Sequence, residues 1–221
     1  MLAQLEDKAF LLSAAHVFDQ CMDGVFVPMA SEVIAPLENA PRVTGIPEGG
    51  TRDDDWIDVG FIRLTESEVL RIGAPNMMDL SEVNRAPVDV DHILFFLALG
   101  FPLKHHEIND SENTVQSKIT SYTTHLADKR ACEMANNEPR SNFLLRLDHR
   151  SISTNKSHGS PPSMNGMSGG GVWPVFFDPE TGDIDVPFFG GLIIERPKGF
   201  ASSISVTHGR LVNYFVNKFD D

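Results

Sequence analysis

At 221 residues the chain can hold one large or two small domains around a real apolar core. Its 41 % hydrophobic and 22 % charged residues are ordinary for a globular protein, and a net charge of −13 repels phosphate backbones, so nucleic acid is excluded as an expected partner. The longest apolar run, over 93–99, is far too short to span a bilayer, so no membrane partner is expected either. Cys21 and Cys132 match no metal-ligand spacing, and the start lacks the basic and apolar blocks of a leader peptide. The expectation is a protein with two free thiols in a reducing, cytoplasmic compartment, using no metal or other cofactor.

In chain order, residues 2–5 and 9–13 read as two strands joined by Glu6-Asp7-Lys8 into a hairpin. Ala14-Ala15-His16 then leaves the second strand. More strand follows around 25–28, 32–34 and 42–45, punctuated by Pro36, Pro41 and Pro47, which suit edges and turns and exclude helix interiors. Residues 48–55 form a polar Gly/Asp loop, and 59–64 return to strand. Thr65 followed by Glu68 is a capping-box pattern and predicts a short helix over 65–71. Residues 76–89 read as a linker.

A second half begins near His92 with a buried strand that stops at Gly100-Phe101-Pro102. Strands over 115–122 and 143–147 flank a polar, partly helical stretch at 124–140. A Gly/Ser/Pro-rich approach over 158–166 leads to a strand at 172–177, a turn at 178–183 and a strand at 188–195. From Thr207 on, Leu211, Val212, Phe215, Val216 and Phe219 recur at helical spacing, with Thr207 or Ser205 as the cap.

Three stretches carry chemistry. In Asn165-Gly166-Met167-Ser168-Gly169-Gly170-Gly171 a serine sits among glycines. Such a turn can aim the backbone N–H groups of Gly166 and Ser168 into one small space and present the Ser168 hydroxyl at its rim, as acyl transfer requires of a nucleophile and its oxyanion hole. The plainer alternative is a glycine-rich loop before a strand. Leu12-Ser13-Ala14-Ala15-His16 ends an apolar run in a histidine whose ordinary pKa, about 6.5, suits a general base. Asp58 opens the strand Val59-Gly60-Phe61-Ile62-Arg63-Leu64 and would hold the imidazole; Asp53, Asp54 and Asp55 compete with it, Asp55 most closely.

The order His16, Asp58, Ser168 is the chymotrypsin order rather than the subtilisin or α/β-hydrolase order. With these motifs the chain resembles the trypsin-like (chymotrypsin-fold) serine peptidases of the bacterial type without disulfides. Leu-Ser-Ala-Ala-His stands for the family's Thr/Ser-Ala-Ala-His, and Gly166-Met167-Ser168-Gly169-Gly170 for its Gly-Asp-Ser-Gly-Gly. The resemblance implies an all-β fold of two antiparallel six-stranded β-barrels, over 1–80 and 90–221, with His16 and Asp58 in the first and Ser168 in the second. It also implies a C-terminal helix packed on the second barrel. The first barrel lacks its first strand, which predicts an unpaired edge at residues 2–5 and a start that is truncated. The implied activity is serine endopeptidase, acting on a protein or peptide substrate through an acyl-enzyme.

The serine motif also fits an α/β-hydrolase elbow, with Asp183 or Asp185 and His208 to follow. That elbow needs a strand before the serine and a helix after it, whereas here prolines precede and a β-like run follows. The remaining histidines, among them His105, His106, His125 and His149, form no ligand pattern. Three departures from the family stand out. Met167 replaces an aspartate that pairs with a newly cut N-terminus, Pro162 and its neighbours supply no acid for Lys/Arg preference, and Ile194 stands where relatives carry a serine supporting the aspartate. They leave open a second function, a weak or inactive trypsin-fold domain serving as a binding or sensor module.

Overall fold

The computed structural model describes residues 1–21, 23–30, 34–73, 77–84, 93–102, 106–109, 114–135, 138–147, 165–185, 188–195 and 203–220. The approach over 158–164, with Pro162, and residues His105 and His149 lie outside the described residues. The elements are β1 (Leu2–Leu5), β2 (Lys8–Ala14), α1 (Ala15–Asp19), β3 (Phe26–Pro28), β4 (Ile34–Pro36), β5 (Arg42–Val43), β6 (Val59–Leu64), α2 (Glu66–Ile72) and β7 (Met78–Asp79). There follow β8 (Ile93–Gly100), β9 (His106–Asn109), β10 (Thr114–Ser117), β11 (Thr120–Thr124), α3 (Lys129–Met134), β12 (Asn142–Arg146), β13 (Gly171–Phe176), β14 (Gly191–Glu195), β15 (Ser203–His208) and α4 (Gly209–Phe219). The protein is mostly β, with a helix at its C-terminal end.

Two larger sheets carry the structure. The first runs β5-β6-β2-β1-β7 and the second β11-β8-β13-β14-β15-β12. The second curls; beyond β11, the Ala127 N–H donates to the Leu144 carbonyl at 2.8 Å and the His125 carbonyl accepts from the Arg146 N–H at 2.9 Å. Alternation decides the inner faces. In β2, Phe10, Leu12 and Ala14 are buried and their neighbours are half-buried. The α2 capping box forms as the sequence predicts, with the Thr65 hydroxyl accepting from the Glu68 N–H and the Glu68 carboxylate accepting from the Thr65 N–H.

Several expectations are corrected. The edge of β1 is paired: β7 lies parallel to it, with Ala3 opposite Met78 and Gln4 opposite Asp79, and the Met1 ammonium donates to the Leu12 carbonyl at 2.7 Å. Residues 78 and 79 fell inside the expected linker, because a two-residue strand carries too little periodicity to be read. The single strand expected over 115–122 is two, since Lys118 and Ile119 turn the chain from β10, paired with β9, to β11, paired with β8. The histidine corner is a short helix, α1. Thr207 and Ser205 do not cap the last helix; both are buried in β15, and α4 begins after His208, which makes no side-chain cap bond. The Gly209 N–H donates instead to the Gly190 carbonyl at 2.8 Å.

The last helix also sits differently from the expectation. Its buried stripe, Val212, Phe215 and Val216, joins Phe10, Leu12 and Phe61 of the first sheet in one core, to which β14 adds Leu192. Phe61 packs edge-on against Phe10 and against Phe215, each at 5.6 Å between ring centroids. The helix therefore ties the first sheet to the second rather than covering the second alone. A second core, with Phe96, Tyr122, Leu145, Ile193 and Met167, fills the curl of the second sheet.

Candidate functional site

His16 lies in the first turn of α1, directly after β2, and Asp58 directly precedes β6, the strand beside β2. This adjacency brings together two residues 42 positions apart. Asp58 Oδ2 lies 2.7 Å from His16 Nδ1, and Oδ1 accepts the His16 backbone N–H at 2.9 Å. The Asp58 carbonyl also accepts the Ala15 N–H at 3.0 Å. Asp58 is 4 % exposed, so its charge rests on these donors rather than on water. Its φ is +45°, a left-handed value that aspartate tolerates better than most side chains and that the surrounding hydrogen bonds hold in place. A carboxylate bound to Nδ1 leaves Nε2 as the ring nitrogen that can accept a proton.

Asp55, the runner-up, is engaged elsewhere. Its carboxylate accepts from the Arg52 guanidinium at 2.7 Å, from the Ile57 N–H at 3.1 Å and from the Thr44 hydroxyl. Arg52 reaches on to Asp19 of α1 at 2.6 Å and to the Thr44 carbonyl at 2.7 Å. Asp55 thus braces the loop before Asp58 and the helix that carries His16. Asp54 caps its own short turn through Thr51. His16, Asp19, Arg52, Asp53, Asp55 and Asp58 line a polar pocket of about 340 Å³.

Ser168 stands on a turn that only glycine permits. Gly166 and Gly169 have φ of +86° and +83°. A Cβ on Gly169 would run into Ser13, three residues before His16, with the Ser13 Cα at 3.1 Å. The turn is pinned to β14: the Gly169 N–H donates to the Ile193 carbonyl and the Ile193 N–H to the Gly170 carbonyl, both at 2.8 Å. Met167 points inward, 1 % exposed, its sulfur against Gly100, and is part of the apolar core. Among the described residues the N–H groups of Gly166 and Ser168 are spent on no protein carbonyl.

The serine turn and the histidine segment are thus in contact, through Gly169 and Ser13. Ser168 itself is half-buried and lines a groove of about 640 Å³ that also touches Ser13 and Val17, the residue after His16. Among the described residues no hydrogen bond joins Ser168 Oγ to the His16 ring. Ile194 is buried, and the support near the aspartate comes from another strand. The Thr207 hydroxyl of β15 donates to the Ile57 carbonyl at 2.6 Å, and Asn142 Nδ2 donates to Thr207 Oγ1 at 3.3 Å. The sequence offers Thr207 or Ser205 as a helix cap, whereas the alternation of Ser203, Ser205 and Thr207 is the signal of a strand. No family model and no curated protein matches the chain. Among the described residues no helix is long and apolar enough to cross a membrane.

Proposed function

We propose that the protein is a serine endopeptidase that hydrolyses peptide bonds through an acyl-enzyme. In this reading the five-stranded first sheet stands for a first barrel lacking one strand, and the curled six-stranded second sheet for the second barrel of the trypsin-like fold. The observation that carries it is the double grip of Asp58 on His16, on the backbone N–H and on Nδ1, beside a serine turn that packs on Ser13. Asp58 holds the ring in the tautomer with Nε2 unprotonated and stabilises the imidazolium formed as His16 takes the Ser168 proton. Ser168 Oγ attacks the carbonyl carbon, and the N–H groups of Gly166 and Ser168 receive the oxyanion. His16 then returns the proton to the leaving amine, and water repeats the cycle on the ester. The ring and hydroxyl close to hydrogen-bond reach, about 2.6–3.2 Å, when substrate binds.

The substrate is a protein or peptide, and two free cysteines, Cys21 and Cys132, fit a reducing compartment such as the cytoplasm. A second reading is a trypsin-fold binding or sensor module with weak or no activity. It is favoured by apolar Ile194 at the supporting position. Labelling the folded protein with a fluorophosphonate separates the two. Covalent modification at Ser168 that is lost in Ser168→Ala supports the peptidase, and a folded protein that stays unlabelled supports the module.

A further inference from the structure

The groove at Ser168 says what the site accepts. It measures about 640 Å³, within the usual range of ligand pockets; among the described residues no carboxylate, ammonium or guanidinium side chain lines it, and the amino group of Met1, which does, is spent on the Leu12 carbonyl. Its walls are apolar side chains of three regions: Leu11 and Val17 beside His16, Phe26 and Val27 of β3, and Phe101 and Ile119 from the second half. Ser168 and Gly166 stand in the same wall, so whatever fills the groove lies against the nucleophile and the oxyanion donors. α1, which contributes Val17, also carries the histidine that hands its proton to the departing amine.

Resting on the peptidase reading, we infer that this groove is the binding site for the leaving-group side of the substrate, and that it selects a large apolar side chain immediately after the scissile bond. Apolar burial supplies the selection, since the described lining offers no side-chain charge for a basic or acidic residue to pair with, and desolvating such a residue there carries a cost without return.

The test uses acyl transfer, which isolates the leaving-group side. Ser168 is acetylated by p-nitrophenyl acetate, giving a burst of p-nitrophenol, and amino-acid amides then compete with water for the acetyl group. In each transfer the amine nitrogen bonds to the acetyl carbon, Ser168 Oγ leaves, and the amine proton passes through His16 to the serine. Leucinamide and phenylalaninamide should be captured roughly 10- to 100-fold more efficiently, relative to water, than glycinamide, with argininamide and glutamic acid amide near glycinamide. In Ile119→Asp, a change at an exposed position, the ratio should shift from leucinamide toward argininamide. A burst with equal capture of all the amides, or with charged amides preferred, overturns the groove assignment and leaves the peptidase standing. A folded protein that gives no burst at Ser168 overturns the peptidase reading and this inference with it.

Discussion

The Thr207 hydroxyl reaches across 150 residues of chain to donate to the Ile57 carbonyl, one residue ahead of Asp58, at 2.6 Å. Thr207 has no exposure at all, so the bond is a fixed strut between the second sheet and the segment that presents the carboxylate to His16. Thr207→Val keeps the shape and removes the donor. The Ile57 carbonyl then loses a partner inside the protein, at a cost of about 1–3 kcal/mol in unfolding free energy. Turnover should fall with KM little changed, and Thr207→Ser should restore both. A valine variant with unchanged kcat would show that Thr207 serves stability alone.

Asp58 and Asp55 should separate cleanly in kinetics. Asp58→Asn should slow kcat by roughly 10⁴-fold, because the amide favours the wrong imidazole tautomer. Asp55→Asn should act mainly on stability, since Asp55 binds Arg52, Thr44 and the Ile57 N–H rather than the histidine. Ser168→Ala should abolish turnover while shifting stability by no more than about 0.5 kcal/mol. Steady-state assays paired with urea unfolding of the three variants decide the matter. Equal losses of activity in the two aspartate variants would count against Asp58.

Gly169 is required twice, once for its φ of +83° and once for the space that Ser13 occupies. Gly169→Ala should cost about 1–3 kcal/mol, and it should displace the serine turn from Ser13. Calorimetry should show a melting temperature lower by several degrees, together with slower fluorophosphonate labelling of Ser168. An alanine variant that melts and labels like the parent would mean that the turn relaxes freely.

His208 provides a pH dependence. Burial holds its pKa below the usual 6.5, with the Arg210 charge acting in the same direction and the Pro139 carbonyl opposing them. A group with a depressed pKa in the folded state binds its proton more readily once unfolded. Its contribution to stability is therefore complete above about pH 6.5 and is lost as pH falls through the lower, folded value. Unfolding midpoints in urea, compared at pH 7.5 and 5.5, should fall less in His208→Gln than in the parent. The same fall in both proteins would assign the acid sensitivity to other groups.

Local sterics and short-range hydrogen bonds are legible along the chain. The glycines at 166 and 169 announce positive φ, Thr65 and Glu68 announce a capped helix, and the alternation after Asp58 announces β6. Asp58 is also legible as the acid at the edge of a strand, a position from which its carboxylate can turn toward the neighbouring β2. Contacts between distant segments are not legible in this way. The pairing of β7 on β1 involves two residues per strand, too few to leave a period. The bond from Thr207 to Ile57 and the packing of Phe215 on Phe61 join residues far apart in sequence. Such contacts form because burial rewards whichever apolar faces the folded chain brings together, and no local pattern names the partner. The same holds for the groove that Ser168 lines, which depends on how the two sheets meet.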